Sequence, residues 1–203
     1  MATLECTTPA ASDPVTVAEL KAHARITSGS VEDTYLTTLI TAATDVVQRL
    51  TRRQLINATY AFGLRQWPSG NGPIELPRPP LSSVSSVTYV DSDGTRQTMD
   101  AGDYAADDAR QPGRVEPVYG EVWPSARDEA NSILITYVAG YGAAGSSVPA
   151  ALRQAILLMA THLYEFRDPV VIGGSVAEVP RTVDALVSPY RVSQLPTWPL
   201  DGK

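Results

Sequence analysis

The feature that most constrains how this chain can fold is a double change of hydrophobic period. From Val31 to Leu50 apolar residues fall at Val31, Tyr35, Leu36, Leu39, Ile40, Ala43, Val46, Val47 and Leu50, one continuous stripe at helical spacing. From about Asn57 to Tyr141 the period drops to two. TYAFGLRQW, SSVTYV, TRQTM and SILITYV are rich in Thr, Val, Tyr and Ile, and PSGNGP, PRPP, DSDG, QPG and YGEVWPS separate them as turns and breakers. Helical spacing then returns from Val148 to Phe166. This order predicts an α+β fold: a helical core of three main helices plus a short C-terminal helix, an inserted small antiparallel β module, and an extended C-terminal arm. The boundaries read as 14–56 and 146–190 for the core, 57–145 for the insertion and 191–203 for the arm.

Local signals refine this plan. Thr16 and Glu19 have capping-box spacing and Val15 with Leu20 that of a hydrophobic staple, so a first helix runs from Val17 to about Ile26 before TSGS breaks it. Ser30 reads as the N-cap of the second helix. Glu32 and Asp33 in its first turn and Arg49, Arg52 and Arg53 at its end carry the signs that the helix dipole favours. Three arginines together also suit a phosphate, but helix punctuation explains them in an acidic chain. DSDG reads as a hairpin turn with Gly94 at positive φ; a calcium loop fails because Gly102 stands where the bidentate acid belongs. GYGAAGSS reads as a glycine-rich hinge, with neither a P-loop lysine nor dinucleotide-fingerprint spacing.

Composition narrows the function. The chain has 203 residues, a formal charge of −6 and a single cysteine, Cys6, in a polar N-terminal leader. One cysteine permits neither an internal disulfide nor a cysteine metal cluster, so an intracellular, reducing setting is expected. The N-terminus lacks the apolar region of a signal peptide, and the longest apolar run, AILLMA, is too short to cross a bilayer, so no membrane partner is expected. Net acidity argues against a protein that grips nucleic acid, though not against DNA passing nearby.

The helix in VPAALRQAILLMATHLYEFRDP carries the one constellation resembling a reactive site. His162 and Glu165 lie three residues apart, close enough for a metal site or an acid/base pair in a small metal-dependent hydrolase. A catalytic metal needs about three protein ligands, and the only other histidine, His23, sits in the first helix with no neighbouring ligand pattern. Catalytic residues, metal ligands and cofactors are therefore all expected to be none. At 100° steps Leu152, Ala155, Ile156, Met159, Leu163 and Phe166 form the core stripe, and Leu157, Leu158 and Tyr164 fall outside it. A helix apolar on that much of its circumference needs a second packing partner, so these three are expected at a subunit interface. After a Gly-containing loop, PRTVDALVSP reads as a short helix. The tail YRVSQLPTWPLDGK offers Arg191, Leu195, Trp198 and Leu200 as an anchor for another protein.

Taken in order, VTVAELKAHARI, LITAATDVVQRLTRRQLI, IELPRPPLSSVSSVTYVDSDG, PGRVEP with GEVWP, ITYVAGYG, VPAALRQAILLMATHLYEFRD and VDALVSPYR resemble the head–tail connector (adaptor) proteins of long-tailed phages and phage-derived gene transfer agents, across residues 14 to 191. The resemblance implies a structural protein without catalysis, made in the bacterial cytoplasm and placed in the virion neck. It implies a homo-oligomer, a dodecameric ring beneath the portal protein, joined to a neck (stopper) or tail-terminator protein, with DNA passing through the lumen without sequence-specific binding. Another neck or tail-completion protein is the nearest alternative. Two positions depart from the family pattern: Arg52 follows Thr51 where a glycine is expected, and Val192–Lys203 extends past the usual YR ending.

Overall fold

The computed structural model describes residues 2–27, 29–166 and 181–192. It divides into two compact units, one containing Met1–Ala11 and Asn57–Tyr141, the other Ser12–Ile56 and Gly142–Arg191.

In the helical unit, α1 (Val17–Ala24), α2 (Asp33–Thr51), α3 (Ala150–Glu165) and α4 (Arg181–Val187) form the body, with α3 packed against the other three. The capping box forms as its spacing requires: the Glu19 backbone N–H donates to Thr16 Oγ1 at 3.2 Å, and the Thr16 N–H donates to Glu19 Oε2 at 2.8 Å. That return bond, more than any other contact, holds the Glu19 carboxyl below its ordinary pKa. Arg153 of α3 ties α1 down by an ion pair to Glu19 and an Nε donation to the Pro14 carbonyl at 3.2 Å.

The α2 stripe buries Leu36, Leu39, Ile40, Ala43 and Val47, with Val46 and Leu50 half-buried. Its first member does not belong to it. Ser30 gives its carbonyl to the Asp33 N–H, the helix begins at Asp33, and Val31 is left 92% exposed in the preceding turn. The periodic count carried the stripe one turn too far because it cannot see where the backbone starts to wind. At the other end Arg52 adopts the left-handed conformation (φ 59°, ψ 30°), its N–H bonding the Gln48 carbonyl, so an arginine fills the position that glycine occupies most cheaply.

GYGAAGSS is not the loose hinge its composition suggests. A Cβ on Gly145 would stand 2.3 Å from the Pro14 carbonyl oxygen, so glycine here permits a close backbone approach rather than free motion.

In the β unit every strand pair is antiparallel. One sheet has the order β1 (Thr3–Thr8), β2 (Ala58–Leu64), β8 (Ile133–Ala139), β4 (Leu81–Val90), β5 (Arg96–Thr98); the other is β3 (Ile74–Glu75), β7 (Arg114–Pro117), β6 (Tyr104–Asp107). The alternation in β2 and β8 is in phase: Ala58, Tyr60, Phe62 and Leu64 stand opposite Ala139, Tyr137, Ile135 and Ile133, and all eight are buried. Tyr60 and Tyr137 stack with ring centroids 5.8 Å apart, and the buried Tyr137 hydroxyl donates to the Pro77 carbonyl at 2.7 Å. Burial raises the Tyr137 pKa far above the ordinary phenol value. Gly94 takes φ 87° in the β4–β5 turn, and Asp91 closes that turn by accepting from the Asp93 and Thr95 N–H groups.

The leader is the main correction. TLECTT is a strand paired along β2, although all six of its side chains are exposed. Backbone pairing recruits it, helped by the Thr3 hydroxyl donating to Asn131 Oδ1 at 2.7 Å and the Thr7 hydroxyl to the Thr59 carbonyl at 3.2 Å, and it covers an edge that β2 would otherwise present.

Candidate functional site

Among the described residues no cluster of three or more His, Cys, Asp or Glu side chains is arranged to hold a metal ion. His162 is half-buried with its ring against Phe166, centroids 4.9 Å apart and planes tilted by 45°, while Glu165 is exposed at the last turn of α3. The other chemical candidate, the arginine group ending α2, is split by the fold. Arg49 and Arg52 are exposed, but Arg53 is only 7% exposed and its Nε donates to the Tyr190 carbonyl at 2.5 Å. Arg53 is thus an internal strut between the end of α2 and the turn after α4, not part of an anion-binding surface.

What remains are the apolar side chains of α3 and the residues that follow α4. Leu157 and Leu158 are half-buried on α3. Leu157 and Tyr164, seven residues apart, share one flank of the helix, while Leu158 lies a further 100° around it. Tyr164 is engaged within its own chain: its hydroxyl donates to Glu32 Oε2 at 2.9 Å and its ring lies 6.4 Å from that of Tyr35, itself at the surface. These contacts join Tyr164 to the start of α2, beside the bare Val31 side chain. Arg191 is also held within the unit, its Nη2 on Asp184 of α4 at 2.5 Å. Leu195, Trp198 and Leu200 lie outside the described residues.

The sequence reading missed the most exposed aromatic side chain among the described residues. Tyr119 stands fully exposed in YGEVWP, with Val122 63% exposed beside it. Composition marked that stretch only as a breaker, and nothing in a single sequence distinguishes a tyrosine at a bare turn tip from one packed beneath it.

Over residues 14–96 the sequence matches the family described as phage gp6-like head-tail connector protein. Over that part of its length the chain is similar to the head–tail connectors. Chains of solved particle structures are similar to almost the whole of this one. The neck of an empty GTA (gene transfer agent) particle computed with C6 symmetry contains a chain 27% identical, TM-score 0.77, covering 95% of this chain and 97% of that one. The virion of a native GTA particle gives 26% identity and a TM-score of 0.76 over the same shares. The neck of a native GTA particle computed with C12 symmetry gives 26% identity and a TM-score of 0.74, again covering 95% and 97%. No curated protein shows a significant sequence match. A structural role in the neck of a particle is therefore supported, and the relatives are particle components. No helix among the described residues is long and apolar enough to cross a membrane.

Proposed function

We propose that this protein is a structural head–tail connector of a tailed phage or gene transfer agent. It assembles as a dodecameric ring beneath the portal protein, joins the DNA-filled head to a stopper or tail-terminator protein, and performs no catalysis. The observation that carries this reading is the near-complete overlap with a chain of a GTA neck, 95% of one chain on 97% of the other. Net acidity supports DNA passing through the lumen without sequence-specific binding, because a surface short of Lys and Arg releases few counterions and holds phosphates weakly. The protein is made in the bacterial cytoplasm and ends in the virion neck.

Leu157, Leu158 and Tyr164 contribute to contacts between adjacent copies, and Arg191, Leu195, Trp198 and Leu200 to contacts with the portal. A closed ring requires each copy to offer two different surfaces to its neighbours, and α3 offers apolar area on opposite flanks. Native mass spectrometry of the protein with and without portal tests the assembly directly. Twelve copies on the portal are expected. A chain that stays monomeric with portal present overturns the proposal, as does Leu158→Asp assembling normally for the α3 contact, since a carboxylate buried there costs several kcal/mol.

A further inference from the structure

We infer that the Val118–Trp123 turn of the β unit is a docking knob for a different protein of the particle, one whose surface has an apolar pocket rimmed by lysine and arginine. The inference rests on the connector reading for the setting, but its observations are independent of it.

The turn is built at its base and bare at its tip. Trp123 is buried, stacks on Trp67 with centroids 4.4 Å apart and planes within 5°, and donates through Nε1 to the Gly72 carbonyl at 3.1 Å and through its backbone N–H to Asn71 Oδ1 at 3.2 Å. Val118 N–H bonds the Asp103 carbonyl at 3.1 Å, and Glu121 N–H closes the turn on the Val118 carbonyl at 3.0 Å. Gly120, at φ 94°, supplies the positive dihedral that such a turn needs at its third residue. Tyr119 and Val122 project from this fixed base and bury nothing of consequence in their own unit. A tyrosine held in place by its backbone loses little entropy on binding, which is why such residues anchor interfaces.

Charge selects the occupant. Between Asp91 and Glu129 the chain has ten carboxylates and four arginines, an excess equal to the −6 of the whole protein. Arg110, Arg114 and Arg127 are already committed to Asp107, Glu116 and Glu129. The side chains of Asp100, Asp103, Asp108 and Glu121 have no ion-pair partner among the described residues. Two of these residues, Asp103 and Glu121, are bonded through their backbones to Val118, the neighbour of Tyr119. Nucleic acid phosphates are repelled by this surface, and so is the same lobe of a second copy; a basic-rimmed apolar pocket is attracted.

The test places p-benzoylphenylalanine at position 119 in the full-length protein, assembles particles in cells and irradiates them. The expected result is one covalent adduct to a different particle protein, at a peptide flanked by Lys or Arg, with adduct yield falling as salt is raised before irradiation. Tyr119→Ala with Val122→Ser should keep the circular dichroism of the wild type and lower retention of that same protein about tenfold or more. Adducts to a second copy of this chain or to DNA, or particles that contain the protein but give no adduct, overturn the inference and leave the connector reading standing. A protein that never enters particles overturns both.

Discussion

Nine acidic and nine basic residues fall in the helical unit, Ser12–Ile56 with Gly142–Arg191, whereas twelve acidic and six basic residues fall in Met1–Ala11 with Asn57–Tyr141. The helical unit is neutral, and several of its charges serve its own architecture: Lys21 pairs with Asp33, Arg153 with Glu19, Arg191 with Asp184, and Arg53 is buried as a strut. The β unit holds its fold by in-phase alternation and stacked aromatics and leaves an excess of carboxylates at its surface. Segregating charge in this way gives one protein two kinds of surface, one suited to apolar packing and one that repels phosphates and attracts basic partners.

The comparison can be broken by asking whether the two units also separate energetically. Trp67 and Trp123 both lie in the β unit, so in a Trp198→Phe background tryptophan fluorescence reports on that unit. Phe62→Ala empties a buried site between β1 and β8 and should cost the β unit about 3–5 kcal/mol in urea unfolding followed by fluorescence. Leu36→Ala in α2, also fully buried, should lower helical circular dichroism stability by about 2–5 kcal/mol. If Leu36→Ala moves the fluorescence transition as far as Phe62→Ala does, the units unfold as one and the energetic contrast fails.

A finer contrast concerns buried polarity. Tyr137→Phe removes the hydroxyl that satisfies the Pro77 carbonyl and should destabilise the β unit by about 1–2 kcal/mol, visible as a lower urea midpoint with unchanged slope. Arg52→Gly should raise helical-unit stability by about 0.5–1 kcal/mol, because relief of left-handed strain exceeds the added chain entropy. A fall in melting temperature would show that the arginine side chain contributes more than its backbone costs.

The smallest expected effect is pH-dependent. Burial is the main reason that Asp13 has a raised pKa, and Asp45 adds to it while the Thr41 hydroxyl opposes it. A raised carboxyl binds its proton more tightly in the folded state, so its stabilising contribution is present below the unfolded pKa and lost as pH rises through the folded one. Asp13→Asn should therefore raise the melting temperature near pH 7 and give no gain in acid; an equal gain at both would sink the assignment.

Much of the fold is legible in the sequence because it follows from short-range rules. Thr16 and Glu19 cap α1, Asp91 and Gly94 turn the β4–β5 hairpin, and β2 and β8 follow their alternation, since capping, turn geometry and pleating depend on residues only a few positions apart. Leu36 to Val47 likewise show their buried face by period alone. The charge imbalance between the units is also already present in the sequence, once the boundaries are known.

Tertiary structure decided the rest wherever the deciding partner lies far along the chain. TLECTT is a strand because the edge of β2, more than fifty residues away, supplies its backbone hydrogen bonds, while its own side chains are all exposed. Arg53 is a strut, while Arg49 and Arg52 stay exposed, because the Tyr190 carbonyl that Arg53 meets lies 137 residues further along the chain. Gly145 is required by the approach of Pro14 rather than by any need for looseness. Tyr119 is a bare tip because Trp123, two residues from Glu121, is taken by Trp67 and Gly72, fixing the turn above them. Local sequence sets which conformations a segment favours, while long-range contacts set which of its side chains are left for another molecule to find.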